Sequence, residues 1–367
     1  MVRAQDPAIG NASSVHQYGQ RARALVDTAR SSVAALLEAD PDEIVFTSGG
    51  TEAINLSLRG AFDVLAPAGR KQIVVSAIEH EAVLHTARAL AARGAEVVVI
   101  QSGPDGVVAA ADMAAAITRD TAIVSLMLAN NEIGTIQPVA EVARRCRELG
   151  VLFHTDAVQG AGKIPVSVRD LGADLLSISG HKFGGPKGVG ALYVRRGARV
   201  AAQATGGRQE RNRRAGTENV PGVAGLGVAA RLARESLVHS VSISGKRDRL
   251  ERSILTTVAG TAVNGGAASR VPNTTNISFD GVEAESLLIA LDLEGVAVST
   301  GSACSSGSLE PSHVLRGMGL PHARARNSIR FSLGASTTDR EVDLVAARVP
   351  DLVAKLRRIG KPMEAVR

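Results

Sequence analysis

Several short apolar runs in this chain are each followed by polar side chains that could act together on one ligand. Lys182 lies in Ser179-Gly-His181-Lys182-Phe-Gly-Gly-Pro-Lys187-Gly, where the glycines make a tight backbone. An amine confined in this way can condense with an aldehyde. A lone lysine is more often a solvated surface residue, and Lys187 is assigned to that role. Asp156, in His154-Thr-Asp156-Ala-Val-Gln159, could keep a ring nitrogen protonated, cap a helix or pair with an arginine. His80 could stack on a ring or move protons, although a single histidine is more often structural. Ser48-Gly-Gly50-Thr51 has the form of a tight turn into a helix, whose first N–H groups bind phosphate well. Taken singly, it is more simply a helix capped by Thr51.

Two further residues extend the set. Arg330 alternates with Ile329 and Phe331, so its side chain faces away from theirs. It could clamp a carboxylate through paired hydrogen bonds or sit on an exposed strand edge. Cys304, in Ser299-Thr-Gly-Ser-Ala-Cys304-Ser-Ser-Gly-Ser, sits among small residues that leave a thiol accessible, as a nucleophile requires. Cys146 falls in a helical segment and is read as an inert packing residue.

Residues with these roles need a scaffold that brings them to one rim. Strands are expected over residues 44–47, 73–76, 97–100, 123–128, 151–154, 175–179 and 189–194. Helical segments are expected at 20–37, 81–92 and 139–149. This alternation predicts an α/β fold: a mostly parallel sheet covered by helices on both faces. In such sheets ligands bind beyond the carboxyl ends of the strands, where the polar clusters fall. After about residue 235 the texture changes to a helix at 245–258 and strands at 276–279, 296–298 and 329–333. The expected organisation is a large domain over 11–235 and a smaller α+β domain over 236–367, joined by residues 1–10.

Composition narrows the function classes. In 367 residues, 45% are hydrophobic and 21% charged, the make-up of a globular chain. With aromatics at 2%, the cores must be built from Ala, Val, Leu and Ile. The longest apolar runs, such as 123–129, fall far short of the roughly 20 residues that span a membrane. Two cysteines are too few for a disulfide framework and lack metal-ligand spacing, so a reducing, cytoplasmic setting is expected. The net charge of +6 comes from 42 basic and 36 acidic residues. Apart from the cluster at Arg208, Arg211, Arg213 and Arg214 they are dispersed, which fits a solvated surface better than a nucleic-acid face.

Taken together, Gly10-Asn-Ala-Ser-Ser, Phe46-Thr-Ser-Gly-Gly-Thr-Glu, Glu79-His80, Asn130-Asn-Glu-Ile-Gly, Asp156-Ala-Val-Gln159, Ser179-Gly-His-Lys182, Arg214-Ala-Gly-Thr217, Gly301-Ser-Ala-Cys304 and Ser328-Ile-Arg-Phe-Ser-Leu-Gly resemble the cysteine desulfurases. These are class V aminotransferase-like, fold-type I pyridoxal-phosphate enzymes. The Ser-Leu-Glu-Pro-Ser-His-Val-Leu stretch after Cys304 is similar to the group I branch, which has a long catalytic loop.

The resemblance implies that Lys182 holds the cofactor covalently, Asp156 pairs with its ring nitrogen, Gln159 bonds its ring hydroxyl and His80 stacks on the ring. It implies that Gly50, Thr51, Ser179 and His181 hold the phosphate, with Thr217 reaching it from the partner subunit of a homodimer. Asn131 would contact the cofactor and, with Arg330, orient the carboxylate of L-cysteine. Cys304 would take the sulfur as a persulfide, leave alanine, and pass the sulfur to an acceptor protein. The destination would be iron–sulfur cluster assembly, thiolated RNA, phosphorothioated DNA or a small molecule. One departure is that residues 1–9 lack the Tyr-Leu-Asp-x-Ala-Ala-Thr-Thr-Pro-like segment that walls the substrate pocket in relatives. Alternatives within the same fold are therefore a selenocysteine lyase, another C–S lyase or an aminotransferase. A catalytically impaired sulfur-carrier partner is a further alternative.

Overall fold

The computed structural model describes residues 1–6, 8–301 and 311–359, and Cys304 lies outside them. The chain forms two compact units. The first comprises Met1–Ile100, Val108–Ala129 and Gln137–Val238. The second comprises Gln101–Val107, Asn130–Ile136 and the chain from His239 onward. Residues 1–10 thus group with the large unit and not with the small one. The reason is local: a 3-10 turn at Val2–Gln5 packs on the helix Val220–Ser236, where Gly225 leaves room for Met1 and Pro186.

In the large unit the elements run α1 (Gln17–Leu37), β1 (Ile44–Thr47), α2 (Gly50–Leu65), β2 (Gln72–Ser76), α3 (Glu81–Ala91), β3 (Glu96–Ile100), α4 (Ala110–Ala116) and β4 (Thr121–Ser125). They continue as α5 (Val139–Leu149), β5 (Leu152–Asp156), α6 (Val168–Leu171), β6 (Leu175–Ser179), β7 (Gly190–Val194) and α7 (Val220–Ser236). The sheet order is β1-β7-β6-β5-β4-β2-β3. Strands β6, β5, β4, β2 and β3 are parallel, and β7 runs antiparallel to both its neighbours. Every residue of β2, β4, β6 and β7 is buried, as expected of strands covered on both faces. The edge strand β3 is partly exposed. Helix α2 packs across the sheet through Ile54, Leu58 and Phe62, against Ile123, Leu175 and Leu192. Helices α1 and α7 lie close together because Gly227 has no side chain: a methyl there would come within 2.5 Å of Ala29 Cα.

The small unit contains α8 (Ser240–Thr257), β8 (Thr261–Val263), β9 (Thr274–Phe279), α9 (Ala284–Leu293), β10 (Ser299–Thr300), α10 (His313–Gly317), α11 (His322–Arg326), β11 (Ser328–Ser332) and α12 (Asp339–Ile359). Its sheet, ordered β10-β11-β9-β8, is antiparallel. One face is covered by α8, α9 and α12 through Leu250, Ile254, Leu287, Val349 and Val353 packed on Ile277 and Phe331. The strand expected at 296–298 is absent. That segment follows the end of α9, and the pairing with β11 begins only at Ser299.

Candidate active site

The large unit gathers most of the expected residues at the carboxyl ends of its strands. Gly50 and Thr51 open α2 directly after β1. His80 caps α3 just beyond β2, its Nδ1 accepting from Ala82 N at 3.0 Å. Asp156 is the last residue of β5, and Ser179 is the last of β6. His181 and the exposed Lys182 follow in a single 3-10 turn, Gly180–Lys182. Ser179 Oγ and His181 Nδ1 are 2.9 Å apart.

Glycines make the convergence of these groups sterically feasible. Gly49 caps α2 at φ 156°, ψ −176°, and offers no side chain to the first-turn N–H groups. Its backbone fills the space that a side chain at Gly190 of β7 would need, since an added Cβ would lie 2.7 Å from Gly49 Cα. A Cβ on Gly50 would meet Val158 Cγ2 at 2.9 Å and Ser179 Cβ at 3.5 Å. The α2 N-terminus is therefore pressed against Ser179. Thr51 and His80 line one hollow of about 350 Å³ between α2 and α3.

The electrostatics follow from burial. Asp156 is 4% exposed, and desolvation raises its proton affinity. This is opposed by the Val158 N–H, 2.9 Å from Oδ1, and by the electrostatic influence of His80 and Lys182. A carboxyl of raised proton affinity is well matched to a ring nitrogen that must stay protonated. Beneath it, two residues back on the same face, His154 is fully buried between Ser125 Oγ (2.8 Å) and Ser177 Oγ (2.9 Å). Burial pushes His154 down to about 3, so it is a neutral rung at physiological pH. His181 is also lowered, by desolvation and by Lys182 and Lys187. Gln159 Oε1 accepts from Lys163 Nζ, which leaves its amide N–H as what it can offer a ligand.

Thr217 stands apart from this group. It is exposed and lines a separate hollow of about 230 Å³ with Ser48, Arg214 and Glu218. Its loop is tied to α2 by Arg214 and Glu52, 2.9 Å apart. Asn131 and Arg330 belong to the small unit, where Arg330 Nη1 donates to Asn131 O at 2.8 Å. Asn131 Oδ1 is buried and accepts no hydrogen bond from the described residues. Strand β4 ends at Ser125, earlier than the expected 128, so Asn131 is not a strand-tip residue. Cys146 is buried and its thiol is pushed up to about 12 by desolvation, in keeping with a packing role.

Sequence reasoning gave no role to Glu79. It is fully buried three residues past β2, and its Oε1 accepts from Met127 N at 2.6 Å and from Ser76 Oγ at 3.0 Å. Burial first, and the nearby Asp156 charge second, push it up to about 8. The available signal was its place in Glu79-His80, a titratable pair three residues past a mostly apolar strand.

Comparisons with known proteins agree with this geometry. The family model for aminotransferase class-V matches residues 6–345. A cysteine desulfurase of Nostoc sp. is 47% identical over 355 residues, covering 96% of this chain and 88% of its own. Among solved structures, a NifS-like protein has a TM-score of 0.90 at 35% identity, covering 97% of this chain and 94% of its own. SspA in complex with cysteine has a TM-score of 0.79 at 34% identity, covering 90% and 92%. Members of this family use pyridoxal phosphate. The residues present fit that group: an uncapped helix N-terminus beside Ser179 and His181 for an anion, a buried carboxyl for a ring nitrogen, and an exposed amine for an aldehyde. A match spanning nearly the whole chain, with the fold and the strand-end groups in agreement, places this protein in the class-V aminotransferase family, among its cysteine desulfurases.

Proposed function

We propose that this chain removes sulfur from L-cysteine, giving L-alanine and a persulfide on Cys304. The observation that carries the reading is Asp156: a buried carboxyl at the tip of the central strand β5, held by Val158 N–H and under the electrostatic influence of His80 and Lys182. Lys182 would hold the cofactor covalently and Asp156 its ring nitrogen. His80 would cover the ring face and Gln159 would reach its hydroxyl. The α2 N-terminus at Gly50 and Thr51, with Ser179 and His181, would bind the phosphate. When bound, pyridoxal phosphate supplies an electron sink for charge developing on the substrate carbons.

Arg330 and Asn131 bind the substrate carboxylate in this reading, and Asn131 also contacts the cofactor. Lys182 and His80 hold and move protons at the substrate carbons. The Cys304 thiolate attacks the cysteine sulfur. An S–S bond forms as the C–S bond breaks, and the three-carbon remainder gains a proton to leave as alanine. Atoms and electrons balance without an external oxidant. The active form in this reading is a homodimer in which the exposed Thr217 reaches the partner's phosphate site. It works in the cytoplasm and passes its sulfur to an acceptor protein. Among the described residues, no helix is long and apolar enough to cross a membrane.

The test is to add L-cysteine and dithiothreitol to the cofactor-loaded protein and assay sulfide and alanine. Equimolar products are expected, with Cys304→Ser retaining the cofactor's spectral response but forming no persulfide. Full sulfide release by Cys304→Ser would overturn the assignment of the thiol.

A further inference from the structure

Within the small unit, Glu132 is 1% exposed and is given no role in the reaction above. Its carboxylate accepts a hydrogen bond from Ser312 Oγ at 2.5 Å. The backbone of Gly301 lies against the same oxygen. A methyl group added at Gly301 would overlap Glu132 Oε2 and lie 2.9 Å from Ser312 Cβ. Gly301 and Ser312 flank the stretch that carries Cys304. One carboxylate therefore touches both stems of that stretch: the one leaving β10 and the one entering α10.

The Glu132 end of this contact is itself fixed. Asn130 Oδ1 accepts from Glu132 N at 2.8 Å and from Ile133 N at 3.1 Å. Asn276 Nδ2, on β9, donates to Glu132 O at 3.3 Å. The Ser312 end is also defined. Its Oγ accepts from Val314 N at 3.1 Å and Leu315 N at 3.2 Å as the cap of α10, so its single proton is left for Glu132. An apolar residue at 132 would leave a buried hydroxyl without its acceptor, a costly arrangement. A side chain at 301 would force the carboxylate away.

We propose that Glu132 is a positioning residue for sulfur transfer, its carboxylate clamping together the two stems of the Cys304-bearing segment. The proposal rests on Cys304 being the sulfur-accepting thiol. The clamp joins the residues on either side of Cys304, so it acts on the thiol and leaves cofactor binding untouched.

The test uses cofactor-loaded, full-length Glu132→Ala, Glu132→Gln and Ser312→Ala. Three readouts are compared: persulfide on Cys304 by mass spectrometry in a single turnover, the spectral response to L-cysteine, and the rate of iodoacetamide alkylation at Cys304 without substrate. Buried Cys146 serves as the silent internal control. Loss of one buried hydrogen bond predicts persulfide formation about tenfold slower in Glu132→Ala and Ser312→Ala. Their alkylation rates should differ several-fold from wild type, with the L-cysteine midpoint of the spectral response unchanged. Glu132→Gln, which keeps an acceptor oxygen, should recover most of the rate. Wild-type persulfide and alkylation rates in both truncations would overturn the clamp. A spectral response lost in parallel would also overturn it, because Glu132 would then be acting through Asn131. If Glu132→Ala does not fold, Ser312→Ala decides. If wild type responds to L-cysteine yet forms no persulfide, the assignment of Cys304 fails, and the alkylation rates still judge the clamp.

Discussion

Replacing Glu79 by glutamine should make the stability of the protein less dependent on pH. Burial moves this carboxyl from 4.5 to about 8, so the folded state holds a proton that the unfolded chain releases. At about 1.4 kcal/mol per pH unit of separation, ionising Glu79 in place costs on the order of 5 kcal/mol. The sign follows from the raised value. The stabilisation from the protonated form is complete below pH 4.5 and is lost progressively as pH rises to about 8. Between pH 6 and 8 the wild-type protein should lose about 2 kcal/mol through this group alone. Glutamine is nearly the same shape, keeps an acceptor oxygen for Met127 N–H, and carries no proton to lose. Its stability advantage over wild type should therefore grow by about 2 kcal/mol from pH 6 to 8 and level off above that. Urea unfolding followed by far-ultraviolet circular dichroism at several pH values measures the difference, since the chain has no tryptophan to report. Other titrating groups, His154 included, are common to both proteins and cancel. Parallel pH profiles for the two would refute the reasoning.

Other substitutions probe separate parts of the structure. Arg30→Ala removes a buried guanidinium that donates to Glu210 at 2.7 and 2.9 Å and to Ile44 O at 2.6 Å. The buried Glu210 carboxylate is left uncompensated, so urea unfolding should show a loss of about 3–5 kcal/mol, and wild-type stability would contradict this. Gly50→Ala forces a methyl to within 2.9 Å of Val158 Cγ2. Displacing the α2 N-terminus in this way should weaken pyridoxal-phosphate affinity about tenfold by equilibrium dialysis, and an unchanged Kd would argue against the phosphate assignment. Asp156→Asn should lower kcat for sulfide release about a hundredfold or more. Because burial raises the proton affinity of Asp156, its charge is lost from the folded state at a gain, so the cofactor-free variant should be at least as stable as wild type at pH 8. A less stable apoprotein would show that Asp156 is chiefly a structural residue.

Much of this was legible in the chain itself. The β2 and β6 runs are rich in Ile, Val and Leu and are followed within a few residues by His80 and by His181 and Lys182, which sufficed to expect a covered parallel sheet with its polar groups at the strand ends. The order of the short motifs pointed to the family, because each polar residue sits at a fixed step past an apolar run. Element ends depend on pairing partners. Asp156 belongs to β5 and not to the turn after it, since its backbone still pairs with β6 at Ser177. The strand expected at 296–298 is not formed, because Val296 and Val298 signal strand propensity, whereas pairing depends on where β11 offers a partner.

What no reading of local pattern could supply is contact between residues distant in the chain. Glu79 becomes a neutral acid because folding buries it and β5 delivers the Asp156 charge, effects that outweigh the N–H of Met127 just past β4. Glu132 meets Ser312 across 180 residues, and Gly301 is confined by both. Sequence alone determined which side chains could do chemistry and the period on which they are strung, since those follow from residue type and local backbone geometry. Tertiary structure alone decided which of them share a desolvated environment, because burial, proton affinity and hydrogen-bond partners are properties of neighbours brought together only by folding.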